Sequence, residues 1–306
     1  MKRDFISIAD WSNTDLGEIL DLSTHIKEYP ANFSNALKGK HLALIFEKPS
    51  LRTHVTFDIG ISQLGAHSIY LDQQGVHLGK RESLFDVARN LERWVDAVVI
   101  RTFSHQTCVD LSRIMLKPVI NALDDQEHPC QAVGDFLTVR EKVGGFRGKK
   151  MVFVGDGNNV CHSLMLFAGA VGMDFIASTP RGYEPNQEIF RRASHTAKKS
   201  GCTVDIVHNP KEAVRHADVV YTDVWTSMGQ ESERDERLER FKPYQVNAKL
   251  MALAKHSAVF MHCLPAHRGE EVTNEVADSP RSVIFDQAEN RLHSQKAILL
   301  RLLQAD

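Results

Sequence analysis

Short apolar or β-branched runs recur along the whole chain. In the first half they are His41–Glu47, His67–Asp72, Ala97–Thr102 and Pro118–Leu123. In the second half they are Lys150–Asp156, Asp174–Thr179, Thr203–His208, Asp218–Val224, Ala258–Leu264 and Ser282–Gln287. Each is too short for a typical helix and reads as a buried strand. Between them lie stretches with helical spacing, such as Ser83–Trp94 and Asn158–Val171. Strands alternating with helices predict an α/β fold, with two doubly wound parallel-sheet domains carrying helices on both faces. A helix over Gly134–Val143 and a glycine-rich turn over Gly144–Gly148 mark the passage between the halves. A last helix, Ser294–Gln304, follows the final strand and can fold back onto either domain.

Length supports two domains, because 306 residues exceed what one hydrophobic core usually serves. Apolar residues at 42% and charged residues at 25% are those of an ordinary globular chain, which argues against disorder. The net charge of −2 gives no bulk attraction to nucleic acid or an anionic membrane, so any anion site must be local. No apolar run approaches the roughly 20 residues that cross a bilayer. Met1-Lys2-Arg3-Asp4 carries an acid early and leads into no apolar core of signal-peptide length. The five cysteines, Cys108, Cys130, Cys161, Cys202 and Cys263, are scattered, odd in number and without a CxxC pair. That argues against a disulfide framework and against structural zinc, and it favours a reducing, cytoplasmic setting.

In open parallel sheets, ligands bind beyond the carboxyl ends of strands. The first run leads into Lys48-Pro49-Ser50-Leu51-Arg52-Thr53 and then a helix with Phe57, Ile61 and Leu64 on one face. Ser50 is a natural N-cap. The N–H groups of a first turn lack helical partners and the dipole is positive there. With the Ser50 and Thr53 hydroxyls and the Arg52 guanidinium, they make a cradle for a tetrahedral anion. A capped helix with a solvated arginine fits this segment equally well. Arg101 closes the third run. The fourth leads through Asp124-Asp125-Gln126-Glu127 into His128-Pro129-Cys130-Gln131. If Pro129 opens a helix, His128 and Gln131 lie one turn apart. A histidine can donate to a carbonyl or phosphate oxygen, and a glutamine amide can both donate and accept. Taken singly, His128 fits a capping or core role better.

In the second half, Val154-Gly155-Asp156-Gly157-Asn158-Asn159 is a strand, a tight turn and a helix start. It is similar to the opening of a dinucleotide fold, but Val160 stands where a third glycine belongs. Ala177-Ser178-Thr179-Pro180 carries no acid for a ribose. Nicotinamide binding is therefore disfavoured, and the paired asparagines suit an amino-acid carboxylate or amine. Asp223 ends a strand and suits a cationic amine. Cys263, in His262-Cys263-Leu264-Pro265, is a candidate nucleophile if ionised. Alternation along a strand makes His262 a poor partner for it. Arg291 follows the last apolar run.

Together these segments resemble the transcarbamylase family, on its ornithine-specific side. Ser50-Leu51-Arg52-Thr53 is similar to the Ser-x-Arg-Thr carbamoyl phosphate loop, and Arg101 to the arginine after the third strand. His128-Pro129-Cys130-Gln131 resembles His-Pro-x-Gln. Asp223-Val224-Trp225-Thr226-Ser227-Met228-Gly229 resembles Asp-x-x-x-Ser-Met-Gly, and His262-Cys263-Leu264-Pro265 resembles His-Cys-Leu-Pro. The resemblance implies a carbamoyl phosphate-binding domain over residues 1–135, with the C-terminal helix 290–306 packed back on it. It implies an ornithine-binding domain over 136–289, and an active site in the cleft between the two.

Carbamoyl phosphate would meet Ser50, Leu51, Arg52, Thr53, Arg101, His128, Pro129, Cys130, Gln131, Cys263, Leu264 and Arg291. His77 would reach in from a neighbouring copy of a homotrimer. Asn159, Asp223, Ser227 and Met228 would hold ornithine. The catalytic set implied is Arg52, Arg101, His128, Asp223, Cys263 and Arg291, with no metal or organic cofactor and no nucleic-acid or membrane partner. The implied reaction transfers the carbamoyl group of carbamoyl phosphate to the δ-amine of ornithine. The alternatives are a transcarbamylase acting on putrescine or an N-acylated ornithine, and a non-catalytic binding subunit. Two positions depart from the family pattern. Leu51 stands where many members have Thr. His54 stands where many have Arg, and its spacing to Asp58 suits an i, i+4 pair.

Overall fold

The computed structural model describes residues 2–72, 82–227 and 229–304. The chain divides into two units, Met1–Leu137 with Glu289–Asp306, and Thr138–Ala288. The first unit runs α1 (Asn13–Glu28), β1 (His41–Phe46), α2 (Leu51–Gln63), β2 (His67–Asp72), α3 (Leu84–Trp94), β3 (Ala97–Arg101), α4 (His105–Ile114) and β4 (Val119–Leu123). The chain leaves it inside α5 (Pro129–Val143). The second unit runs β5 (Lys150–Val154), α6 (Asn159–Val171), β6 (Asp174–Ser178), α7 (Gln187–Ser200), β7 (Val204–Ile206), α8 (Pro210–Ala213), β8 (Val219–Thr222), α9 (Arg234–Phe241), α10 (Ala248–Met251), β9 (Val259–His262) and α11 (Asn274–Ala277). The chain returns to the first unit inside α12 (Ile284–Leu303).

Both sheets are parallel, in the orders β2-β1-β3-β4 and β7-β6-β5-β8-β9. Parallel strands covered by helices must be apolar on both faces. Val98, Val99 and Ile100 of β3 and Met151, Val152 and Phe153 of β5 are buried without alternation. Within each sheet the strand order reverses once, between β1 and β3 and between β5 and β8. Loops leaving the two strands at such a point diverge and open a crevice at their carboxyl ends. Phe46 pairs with Arg101 at the last position of β1 and β3. The Glu47 N–H donates to the Arg101 carbonyl at 2.9 Å, so both strands deliver their loops at one level. The far edge of the first sheet is covered by the N-terminal segment, where Phe5 bonds Val119 and Asn121 of β4.

Nine expected strands lie where the apolar runs placed them; Ser282–Gln287 is not a strand. Ser282 forms an isolated bridge with Phe260, the Val283 N–H donates to the Phe260 carbonyl at 3.0 Å, and α12 begins at Ile284. The reason is periodicity. Val283, Ile284, Gln287, Asn290 and Arg291 are buried while Phe285 is exposed, which is the spacing of a helix and not of a strand. The last helix thus starts well before Ser294, and Arg291 lies within it, not beyond a strand end. α5 likewise starts before Gly134, at Pro129.

α6 is buried on nearly every side, and Gly169 is a point of close approach to α7. A Cβ on Gly169 would lie 2.8 Å from the Ala193 carbonyl oxygen. Gly169→Ala should therefore push the two helices apart and cost about 1–3 kcal/mol. A urea unfolding midpoint equal to that of the unmodified protein would remove this packing argument.

Candidate active site

In the first unit, the turn after β1 carries the Ser50 hydroxyl onto the Thr53 N–H at 3.3 Å, which caps α2. The Leu51 side chain is 75% exposed, so this residue offers its backbone and not its side chain to anything bound at the helix start. Arg52 is half-buried on the first turn. Thr53 is buried, and its hydroxyl accepts from Arg291 Nη2 at 2.5 Å. Arg291 reaches it from α12, which packs closely on α5. A Cβ on Gly134 would sit 3.3 Å from the Arg291 backbone nitrogen. The helix, not a strand end, is what delivers this arginine.

His128 is buried, and its imidazole is held well below the ordinary histidine range, first by burial and then by Arg291 and Arg101. It is therefore neutral at pH 7 and can give one N–H to an oxygen without carrying charge. Pro129 opens α5. The Cys130 thiol donates to the Asn121 carbonyl at 3.3 Å and is pushed up to about 12 by burial, so it is a packing group. Its backbone is what remains for a ligand. Gln131 is buried one turn into the helix, and its Nε2 donates to Asp135 Oδ1 at 2.7 Å.

The loop ahead of His128 is pinned by a residue that sequence reading left out. Asp124 has no exposed surface. Its Oδ1 accepts the Gln126 and Glu127 N–H groups at 2.8 and 2.7 Å. Its Oδ2 accepts Asn121 Nδ2 at 2.7 Å and meets His105 Nδ1 at 2.6 Å. The acidic run before His-Pro was visible in the sequence; its long-range partner His105 was not. Lys48 was also missed. It is buried with its ammonium 4.5 Å from the Phe103 ring centroid, and burial together with Arg101 lowers its pKa. His54 stacks on Tyr70 with ring centroids 3.8 Å apart, and Asp58 instead takes a hydrogen bond from Ser68.

In the second unit, Asn158 does two things. Its Oδ1 caps α6 by accepting the Val160 and Cys161 N–H groups at 3.0 and 3.1 Å. Its Nδ2 donates to Asp223 Oδ2 at 2.8 Å. The Cys263 thiol donates to the other oxygen, Oδ1, at 3.0 Å. Asn158, Asp223 and Cys263 thus form one row across the ends of β5, β8 and β9. Asn159 is half-buried at the first position of α6, next to this row. Sequence reading assigned Asn159 to the ornithine end; its neighbour Asn158 is bonded to Asp223.

His262 lies near Cys263 but takes other partners. Its Nδ1 accepts the Leu264 N–H at 2.9 Å, so its Nε2 carries the proton toward Glu271 Oε1 at 3.0 Å. This holds Leu264 at φ +60, a left-handed conformation costly for a side-chain-bearing residue. Asp223, His262 and Cys263 carry donor atoms within 4.8 Å of one another. Both imidazole nitrogens are already engaged, so the trio does not make a ligand set.

A further omission is Arg237 on α9. Its Nη1 donates to Asp156 Oδ2 and to the Trp225 carbonyl, each at 2.9 Å, and its guanidinium lies 4.9 Å from the Tyr183 ring centroid. One buried cation therefore ties the turn after β5 to the loop after β8. Burial raises the Asp156 carboxyl to about 6, with Arg237 working against that rise. On the Trp225 loop, the Ser227 N–H donates to Gln230 Oε1 at 3.0 Å. His77 and Met228 lie outside the described residues.

These two half-sites match known domain models. Residues 3–141 match the aspartate/ornithine carbamoyltransferase carbamoyl-P binding domain, and residues 147–302 match the Asp/Orn binding domain. The chain belongs to the aspartate/ornithine carbamoyltransferase family. Within this carbamoyltransferase family it is 52% identical over 297 residues to the ornithine carbamoyltransferase of Methanothermobacter thermautotrophicus, covering 97% of each chain. It is 48% identical over 303 residues to that of Pyrococcus horikoshii, covering 98% of this chain and 96% of the relative. The solved ornithine carbamoyltransferase of Pyrococcus furiosus superposes with a TM-score of 0.97 at 46% identity, covering 100% of this chain and 98% of that one.

The His105–Asp124 bond has a pH signature. Asp124 raises the His105 pKa above its ordinary value, more than burial lowers it. A raised folded-state pKa contributes stability that is complete below the unfolded value of about 6.5 and fades as pH rises through the folded value. His105→Asn should therefore destabilise the protein more at pH 6 than at pH 9, as read from urea midpoints. An equal loss at both values would mean that the charge on His105 is not what matters.

Proposed function

We propose that this chain is an ornithine carbamoyltransferase, giving citrulline and phosphate from ornithine and carbamoyl phosphate. The observation that carries the reading is the Asn158–Asp223–Cys263 row. Its central carboxylate, at the strand-order reversal of the second unit, suits a cationic amine and repels the extra carboxylate of aspartate. That charge logic separates the two acceptors the family name covers. Relatives at about half identity across nearly the full length are named for the same reaction, which supports it.

The residues support the chemistry as follows. The α2 start with Ser50, Arg52 and Thr53 suits the phosphate, and Arg101, His128 and Arg291 suit the carbamoyl oxygen as charge grows on it. A neutral His128 donates a proton to a hydrogen bond without repelling the arginines beside it. The δ-amine attacks the carbamoyl carbon only when neutral and within bonding reach. Asp223 and Cys263 orient it, while Asn159, Ser227 and Met228 serve the amino-acid end. The new C–N bond forms as the C–O bond to phosphate breaks, and the departing phosphate takes the amine proton. Leu264 and the backbones of Leu51, Pro129 and Cys130 complete the carbamoyl phosphate contacts. All of this chemistry needs neither a metal nor an organic cofactor.

A homotrimer is part of the proposal, with His77 entering a neighbour's site, as is a cytoplasmic setting. Exposed Val55, Ile59, Ile69 and Tyr70, on α2 and edge strand β2, support a face that another copy covers. Among the described residues no helix is long and apolar enough to cross a membrane.

Purified protein should form citrulline from ornithine and carbamoyl phosphate, and Arg52→Ala should abolish most of that turnover. Product formed equally well from aspartate, or undiminished turnover by the variant, would overturn the reading. Arg237→Met should raise the KM for ornithine roughly tenfold, the equivalent of about 1.4 kcal/mol, and leave that for carbamoyl phosphate unchanged. Steady-state kinetics with each substrate varied in turn distinguish this from general misfolding, which would lower active-enzyme yield without moving either KM.

A further inference from the structure

Gln131 is 1% exposed, and only one end of its amide is satisfied inside the protein. Nε2 donates to Asp135 Oδ1 at 2.7 Å. A carboxylate can only accept, so the amide must face Asp135 through its nitrogen. Oε1 then points the other way. It is buried, and it meets no donor among the described residues. A buried acceptor without a donor is costly, and few persist in native proteins without a reason. Asp135 itself is fully buried on the next turn of α5, where no water competes for the bond.

We propose that Asp135 is a positioning residue that sets the orientation of the Gln131 amide and thereby selects a carbamoyl group over an acyl group. The inference rests on carbamoyl phosphate binding in the first unit. Carbamoyl phosphate and acetyl phosphate have nearly the same shape. They differ in an –NH2 against a –CH3 on the carbonyl carbon. Oε1 accepts a hydrogen bond from the carbamoyl –NH2, but a methyl group leaves it buried and unpaired. If the glutamine were reversed, Nε2 would face the amide as donor against donor and the preference would vanish. The discrimination therefore depends on which way the amide points, and Asp135 decides that.

The test compares the inhibition constant of acetyl phosphate with the KM of carbamoyl phosphate, ornithine being saturating. Asp135→Asn is nearly isosteric and can offer its own N–H to Oε1, which frees Gln131 to turn over. The ratio should fall on the order of tenfold, the scale of one neutral hydrogen bond, through a higher KM for carbamoyl phosphate and little change for acetyl phosphate. If both constants weaken in step, Asp135 is a packing residue and the inference is wrong. Gln131→Met separates the two levels of the argument. A wild-type ratio in that variant would refute the contact between Gln131 and the carbamoyl group, whatever Asp135 does. A lowered ratio that falls further on adding Asp135→Asn would refute action through Gln131, because a positioning residue has no effect once its target is gone. Should Asp135→Asn not accumulate folded, Asp135→Ser can also donate and carries the same expectation. It is read as the loss of the difference between the two phosphates in the melting-temperature rise each produces.

Discussion

A parallel sheet cannot join neighbouring strands by a tight turn. Every strand must be followed by a crossover over one face, almost always of one hand. When the strand order reverses, successive crossovers go to opposite faces and the loops at that point part. Each unit of this chain has one such reversal, at β1/β3 and at β5/β8. The residues with chemistry to offer gather there: Ser50, Thr53 and Arg101 in the first unit, Asn158 and Asp223 in the second. Position in the sheet, more than any one motif, explains why the side chains within each unit come together.

Parted loops lose the ladder that would otherwise hold them, so something else must. Here buried carboxylates that take defined donors do it. Asp124 accepts two backbone N–H groups, an amide and an imidazole, and so fixes the approach to His128. Glu271 accepts from His262 and from the His267 N–H at 2.5 Å, and so fixes the return from Cys263 through Leu264. Asp156 accepts from Arg237, which also donates to the Trp225 carbonyl, and so does the same for the Trp225 loop. A buried charge is tolerated only with such partners, and losing one partner leaves the charge stranded. The same requirement that makes these groups expensive makes the loops rigid.

What could be read in the sequence followed from local periodicity and from local polar motifs. Unalternating apolar runs gave β1 to β9, and Ser50 and Asn158 marked the helix starts beside them. The run Val283-Ile284-Phe285 misled because three apolar residues are too few to separate a period of two from one of 3.6. That error carried Arg291 to a strand end, whereas it sits on α12 with its guanidinium on Thr53. Partners distant in sequence left no local trace. Arg237 and Asp156 are 81 residues apart, and each looks like a surface charge in its own neighbourhood. His54 was read against Asp58 on its own helix, but the stronger neighbour was Tyr70 on the next strand, which no helical spacing reveals.

The departure at Leu51 bears on how an anion is held at the start of α2. A helix start offers two kinds of donor, backbone N–H groups aligned with the dipole and side-chain hydroxyls that add to them. Leu51 removes a hydroxyl but not an N–H, and its side chain stands in solvent where it blocks nothing. Ser50 meanwhile is engaged as the cap on the Thr53 N–H, and Thr53 accepts from Arg291. The Thr53 hydroxyl therefore has its own proton left to give, and Arg291 beside it makes that proton a better donor. Under the proposed function, the cradle keeps its charge and its backbone donors and lacks one hydroxyl. Such a loss weakens an anion's grip by at most one neutral hydrogen bond, about 1 kcal/mol, and does not change which anion fits.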